Sequence, residues 1–211
     1  MSKKKEISGK TIERLALYRR LLSGLREKGL VHLYSHQLAE FTQTTAVQVR
    51  RDIMMTGYTA NARKGYELEA LIKKIDETIS VPVKQNIALI GVGNLGRAIL
   101  SYFNSQHSAL RIVGAFDNDP AKVSRTISGC PCFKINEISN KIKELNITLG
   151  IITVPGRDAQ GVAEIIAQAG IKGILNFAPV PLKLPDTVYC ERIDITTAIE
   201  KVAYFANKIK I

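Results

Sequence analysis

The chain is poor in the residues that staple, ligate and catalyse. Of its 211 residues three are cysteine (Cys130, Cys132 and Cys190) and three are histidine. So few thiols, and an odd number of them, cannot build a disulfide framework and fit a reducing compartment. Cys130-Pro-Cys132 lacks the CxxC spacing and has no histidine beside it, so packing in a loop is expected rather than zinc or any other metal. Between Asn86 and Ile193 the one histidine is His107. No Ser-His-Asp set, metal-spaced cluster or lysine with an evident partner accompanies it. A dehydrogenase would need a substrate clamp and a proton donor. The sequence offers neither, so a chain that is not an enzyme is expected. No run nears the ~18 consecutive apolar residues of a membrane span. The opening Met1-Ser-Lys-Lys-Lys-Glu6 has no apolar stretch behind it, so a cytoplasmic, unsecreted chain is expected.

Acidic residues are also scarce. Thirty Lys and Arg stand against nineteen Asp and Glu, a formal charge of +11. The excess is uneven: residues 10–64 hold ten cations (Lys10, Arg14, Arg19, Arg20, Arg26, Lys28, Arg50, Arg51, Arg63, Lys64) and four acids (Glu13, Glu27, Glu40, Asp52). That block carries +6 of the +11, and a basic block within a folded pattern points to a polyanion such as double-stranded DNA.

The chain changes character near Val81-Pro82-Val83-Lys84-Gln85. Apolar residues recur at helical spacing before it; short Val/Ile-rich runs alternate with helical segments after it. Pro82 cannot continue a helix, so a linker is predicted over 81–85 between domains at 1–80 and 86–193. In the first domain a helix is predicted from about Thr11 to Lys28, with Ile12, Leu15, Leu22 and Leu25 on one face and Gly29 as its stop. A short helix follows from Ser35 to Phe41 with Ser35 as N-cap, then a third helix from Thr44, its cap, to about Met54. Ala46, Val49 and Ile53 face inward, which turns Thr45, Gln48 and Arg51 outward beside Arg50. This is the layout of a helix-turn-helix. Thr59-Ala-Asn-Ala-Arg-Lys64 reads as the tip of a β-hairpin wing carrying Arg63 and Lys64. The candidate DNA-binding residues are therefore Thr44, Thr45, Gln48, Arg50, Arg51, Arg63 and Lys64. Tyr66 to Ser80 reads as a further helix.

In the second domain the strand Asn86–Ile90 runs into Gly91-Val92-Gly93-Asn94-Leu95-Gly96 and a helix to about Phe103. That is the dinucleotide fingerprint in its required strand–turn–helix setting. The next strand, Arg111–Phe116, ends in Asp117, 26 residues past Gly91. An acid near that offset takes the adenosine ribose hydroxyls and repels a 2′-phosphate, favouring NAD (NADH and NAD⁺) over its phosphorylated form. Strands at Thr148–Thr153 and Gly173–Asn176 deliver Thr153-Val154-Pro155 and Asn176-Phe177-Ala178-Pro179 to the carboxyl end of a parallel sheet. Ligands bind there, so these turns are further candidates. Helices are predicted at 136–145 and 157–169. Asp194 caps a final amphipathic helix within 194–211, whose apolar stripe (Ile199, Val202, Ala203, Phe205) suits a partner subunit. The fold class is α/β: a winged-helix domain followed by a doubly wound Rossmann-type sheet. Two other readings fit these features: a small NAD-dependent oxidoreductase with a basic N-terminal extension, and a DNA-binding protein whose nucleotide fold binds CoA or only dimerises.

A DNA-reading head on an NAD-binding body, without catalytic equipment, closely resembles the Rex family of redox-sensing transcriptional repressors. The resemblance runs over essentially the whole chain. It rests on Thr45-Ala-Val-Gln-Val-Arg-Arg-Asp52, Gly91–Gly96, Ala115-Phe-Asp117, Leu149–Pro155 and, most specifically, Gly170-Ile-Lys-Gly-Ile-Leu-Asn-Phe-Ala-Pro179. The resemblance implies a homodimer whose winged helices grip an inverted-repeat operator with NAD⁺ or little NADH and let go when NADH rises. It also implies a C-terminal helix swapped between the partner's domains, and switch contacts at Arg20, Tyr102 and Asp194. One departure shows in the wing. The family pattern, F-G-x-x-G-x-[RK]-G-x-G-Y, has become Thr56-Gly-Tyr-Thr-Ala-Asn-Ala-Arg-Lys-Gly-Tyr66, with two glycines replaced and the cations shifted by one.

Overall fold

A computed structural model describes residues 7–61, 64–79, 84–104 and 109–209. The chain divides into two compact units, Met1–Pro82 and Val83–Ile211. In the first, helix α1 (Gly9–Glu27) starts at Ser8, whose hydroxyl accepts from the Thr11 N–H. Its buried stripe is Thr11, Leu15, Tyr18 and Leu22, three or four residues apart. Ile12, expected inside, is 45% exposed, because Thr11 takes the inward phase in its place. Gly29 ends the helix at φ +85°, a conformation that suits glycine.

The short helix α2 (Ser35–Phe41) is capped one residue earlier than expected, at Tyr34, whose N–H is taken by the Gln37 side chain at 2.8 Å. Ser35 is freed to accept from the Arg50 guanidinium at 3.0 Å. Helix α3 (Ala46–Met55) is capped by Thr45 rather than Thr44: the Thr45 hydroxyl accepts from the Gln48 N–H at 3.2 Å. Tyr66–Glu67, predicted helical, is the strand β2, and it pairs antiparallel with β1 (His32–Leu33). Among the described residues the wing loop is closed by an antiparallel Asn61–Gly65 bridge, and its return strand joins the segment before α2. Helix α4 (Leu68–Ile79) completes the unit, packing Leu71 and Ile75 against Leu15, Tyr18, Leu22, Leu38, Val49 and Ile53.

The second unit is built on a seven-stranded sheet. Its strands are β3 (Gln85–Ile90), β4 (Leu110–Asp117), β5 (Thr126–Ile127), β6 (Cys130–Lys134), β7 (Ile147–Ile152), β8 (Gly173–Asn176) and β9 (Tyr189–Arg192). Their spatial order is β5-β6-β4-β3-β7-β8-β9, parallel except for the β5 edge. Helices α6 (Ile138–Glu144) and α7 (Gly156–Gln168) lend Ile138, Ile142, Ala159, Ala163 and Ile166 to the core on one face, with Ala88, Ile90 and Ile152. Helix α5 (Asn94–Asn104) covers part of the other face, where Leu100 meets Leu89, Ala115 and Ile151. Alternate residues of β3 thus face opposite helical layers, the mark of a doubly wound sheet. Cys130 and Cys132 lie not in a loop but in β6, buried against the α5 face. Burial pushes the Cys130 thiol up to about 11, so it stays protonated at neutral pH.

The chain ends in α8 (Ile195–Ala206), capped by Asp194 at 3.0 Å from the Thr197 N–H. None of its residues is buried; Ile199, Val202 and Phe205 are 63, 67 and 59% exposed.

Candidate functional site: dinucleotide cleft and nucleic-acid interface

The strand order reverses beside β3, whose neighbours β4 and β7 continue in opposite directions. At that switch point the carboxyl ends of the strands frame a cleft of about 270 Å³, lined among others by Gly91, Gly93, Asp117, Lys122, Thr153 and Pro155. The loop between β3 and α5 is pinned from both sides. The Gly91 N–H donates to the Phe116 carbonyl at 2.8 Å, and the Thr153 hydroxyl donates to the Gly91 carbonyl at 2.6 Å.

The three glycines of the fingerprint answer different needs. Gly91 sits at φ +95°, and a Cβ there would lie 2.9 Å from the Thr153 backbone. At Gly96 a Cβ would overlap the Gly91 carbonyl oxygen. Gly93 is unlike both: a Cβ there meets nothing within 4 Å. The protein's own packing does not require glycine at that place, which suits a backbone meant to be approached by a ligand. Its carbonyl accepts the first helical bond, from the Arg97 N–H at 2.9 Å. Asn94 and Leu95 therefore open α5, and the first turn of a helix presents N–H groups without intrahelical partners and a positive dipole end, features suited to a phosphate.

Asp117, at the end of β4, has a largely buried carboxylate. One oxygen accepts from the Val92 N–H at 2.7 Å and lies 3.1 Å from the Lys122 ammonium; the other accepts from the Asp119 N–H at 2.8 Å. Burial alone would push this carboxyl up. The two backbone N–H bonds and Lys122 outweigh it, and the group sits below the usual carboxylate range, ionised at neutral pH. The sequence reading missed Lys122. The Asp117-Asn-Asp-Pro-Ala-Lys122 turn is the signal that could have found it, since an Asp-Pro turn brings a lysine five residues on back over the strand end.

Thr153, Val154 and Pro155 line the cleft. Asn176, Phe177 and Ala178 are not among its lining residues. Asn176 is fully buried and spends both polar atoms on its own turn, donating to the Val180 carbonyl and accepting from the Ala178 N–H, each at 2.9 Å. It shapes the end of β8.

On the first unit, Arg51, Thr45 and Lys64 are exposed, and Thr44 and Gln48 are half-buried. Arg50 is tied to α2 through Ser35, so it braces the two helices of the turn. Arg63 lies outside the described residues. What the sequence reading undervalued is Asp52, counted there only as an offsetting acid. It is 2% exposed and collects four donors. Arg14 Nε and Nη2 donate at 2.6 and 2.7 Å, the Tyr18 hydroxyl at 3.0 Å and Gln48 Nε2 at 2.9 Å. Burial would push the Asp52 carboxyl up, but these donors hold it below its ordinary value. Position was the available signal, because Asp52 shares the inward phase of Val49 and Ile53. Of the three switch candidates, Arg20 is exposed on α1, Tyr102 is 60% exposed on α5, and Asp194 caps α8.

Two family models match the chain: a putative DNA-binding protein N-terminus over residues 6–53 and a CoA binding domain over residues 82–180. Curated relatives span nearly the whole chain. A redox-sensing transcriptional repressor Rex from Desulforamulus reducens is 34% identical, with 92% of each chain covered. One from Limosilactobacillus reuteri is 36% identical over 95% of this chain and 94% of its own. Among solved structures, RSP, a Rex-family repressor, in complex with β-NAD⁺ and operator DNA superposes with a TM-score of 0.90 at 30% identity, covering 97% and 94% of the two chains. RSP in complex with β-NADH gives 0.85, covering 96% and 95%.

Proposed function

This chain belongs to the Rex family of redox-sensing transcriptional repressors, and from that membership and its two sites we propose that it represses transcription under control of the NADH/NAD⁺ ratio. With NAD⁺ or little NADH it holds its operator; rising NADH releases it. The observation that carries this reading is the pairing, on one chain, of a basic helix-turn-helix with a switch-point cleft lined by the glycine loop and by the ionised Asp117 at the end of β4. When bound, the dinucleotide supplies a nicotinamide whose reduced and oxidised forms differ in charge and shape. Gly91 to Gly96 and the start of α5 receive the pyrophosphate. Asp117 takes the ribose hydroxyls, and Thr153, Val154 and Pro155 form the far wall. Asn176, Phe177 and Ala178 support that wall from β8. A carboxylate at the ribose also disfavours the 3′-phosphate of coenzyme A, which favours NAD over the ligand that names the matching domain model. On the DNA side, Thr44, Thr45, Gln48 and Arg51 face the major groove, while Arg50, Arg63 and Lys64 meet phosphates. The chain acts as a homodimer, since α8 exposes an apolar stripe that its own unit leaves uncovered. As a member of a family of transcriptional repressors, it regulates and does not turn over the dinucleotide.

The test is operator binding by fluorescence anisotropy, with NAD⁺ and NADH titrated separately. NADH should release the duplex at concentrations where NAD⁺ does not. Equal effects of the two forms would overturn the redox reading, and steady NADH oxidation with a small hydroxy or keto acid would move the chain to the dehydrogenases.

A further inference from the structure

We propose that Asp52 is a positioning residue for operator reading, fixing the Gln48 amide so that the recognition helix selects adenine at one base pair. The inference rests on the DNA-binding reading above.

The argument begins with the buried carboxylate. A carboxylate offers about four lone-pair sites and can only accept. Here all four are spoken for: one oxygen takes Arg14 Nε and Tyr18, the other takes Arg14 Nη2 and Gln48 Nε2. Asp52 therefore ties α3 to two residues of α1, and the bidentate guanidinium fixes its plane. Gln48 stands four residues before Asp52 on the same helix, the spacing at which a glutamine and an aspartate meet. An amide is normally free to present either its oxygen or its nitrogen to a neighbour. Beside an acceptor-only partner that freedom is gone. The nitrogen must face Asp52, because the amide oxygen there would set acceptor against acceptor.

The consequence lies on the outer edge of Gln48. Its Nε2 keeps one N–H, and among the described residues no group donates to its Oε1. One donor beside one acceptor matches the major-groove edge of adenine, whose N7 accepts and whose N6 amino group donates. The reverse orientation would offer two N–H groups, which match guanine N7 and O6. Gln48 also sits in the first turn of α3, with its backbone N–H held by the Thr45 cap. The N-terminal turn of a recognition helix is the part that reaches base edges. Asp52 touches no base itself, yet the network behind it sets which base is read.

The test uses an operator selected by the wild-type protein from a random duplex pool. Each adenine is replaced in turn by 2-aminopurine, which still pairs with thymine and keeps N7 but lacks the N6 amino group. At one position per half-site the replacement should weaken wild-type binding roughly tenfold or more. The same replacement should cost the Gln48→Ala variant nothing. In Asp52→Asn, where the neighbour can also donate, that penalty should shrink and guanine should become tolerated, with non-specific affinity unchanged. If no adenine shows a penalty that depends on Gln48, the assignment is overturned while the DNA-binding reading stands. A protein that retains no duplex from the pool fails the reading underneath and the assignment with it. Should Asp52→Asn fail to fold, the wild-type protein alone decides. One Gln48 side-chain proton must exchange slowly in its ¹⁵N spectrum, and fast exchange of both overturns the fixed orientation.

Discussion

A buried carboxylate with four donors makes stability depend on pH in a definite direction. The folded value of Asp52 lies below its ordinary 3.8, so its contribution is whole above that pH. It is lost as the pH falls below 3.8 through the lowered folded value. Replacing Asp52 by Ala leaves Arg14 and Tyr18 facing an empty site. The expected cost at pH 7 is roughly 2–4 kcal/mol, under the upper end for a fully buried pair because Arg14 keeps contact with water. Urea unfolding of both proteins at pH 7 and pH 3 checks this, and the gap between them should narrow at pH 3. An unchanged gap would mean that Asp52 acts by packing alone. Asp117 follows different logic, since the role proposed for it is selection between ligands. Asp117→Ala should weaken NADH binding and bring NADPH closer to it, because the repulsion goes while Lys122 stays beside the cleft. Adding Lys122→Ala should remove what NADPH gained. Dissociation constants of both dinucleotides, read by fluorescence, decide the matter, and an unmoved NADH/NADPH ratio would take Asp117 away from the ribose.

At the scale of elements, the wing and the recognition helix should separate by salt dependence. Lys64→Ala should lower affinity for every duplex and flatten the slope of log affinity against log salt by about one unit, as loss of one phosphate contact requires. Arg51→Ala should instead level the preference among operator variants. A uniform loss on specific and scrambled duplexes alike would make Arg51 a backbone contact. The helices and central strands of this molecule were readable because each carries its own period: Leu15, Tyr18 and Leu22 on α1, and the unbroken apolar run of β3 before its glycine loop. The strands on the flanks of the sheet were not. β5 and β9 are two and four residues long, and β6 holds Pro131 between two cysteines. Their strand character comes from pairing with β6, β8 and β4, which a local window cannot see. The cleft was legible through the glycine spacing and Asp117. Lys122 and the Asp52 network left only indirect signals, an Asp-Pro turn and an inward helical phase, because the partners themselves meet across a turn and between helices, which spacing alone does not show.

For the whole molecule the question is how a dinucleotide changes the grip on DNA. A ligand shifts a two-state equilibrium only through its differential affinity for the two states, so NADH must bind the released form more tightly than the operator-bound form. Reciprocity then requires operator DNA to weaken NADH binding by the same factor. A full swing from 1:99 to 99:1 takes about 5.5 kcal/mol, more than any single exposed ion pair provides. The apolar stripe of α8 is the larger reservoir. Burying a side chain such as Ile199 or Phe205 contributes roughly 1.5–3 kcal/mol each, and neither is buried within its own unit. Val202→Glu should therefore break the dimer in sedimentation and abolish binding to a two-half-site operator while sparing one-site NADH binding. Asp194 offers the finer probe because it both caps α8 and carries a charge. Its carboxyl is held below the ordinary range by the Thr197 N–H, so it is charged at neutral pH. Asp194→Asn retains a capping side chain and removes the charge, whereas Asp194→Ala removes both. If the charge carries the coupling, both variants should keep NADH affinity within a few-fold of wild type yet need much more NADH to release operator. If only the cap matters, Asp194→Asn should behave as wild type. Arg20→Ala should lower operator affinity without touching a base, leaving preference among operator variants intact. Half-release concentration measured beside direct NADH affinity separates these cases. Normal release by Asp194→Ala, with the dimer intact, would send the coupling through another route.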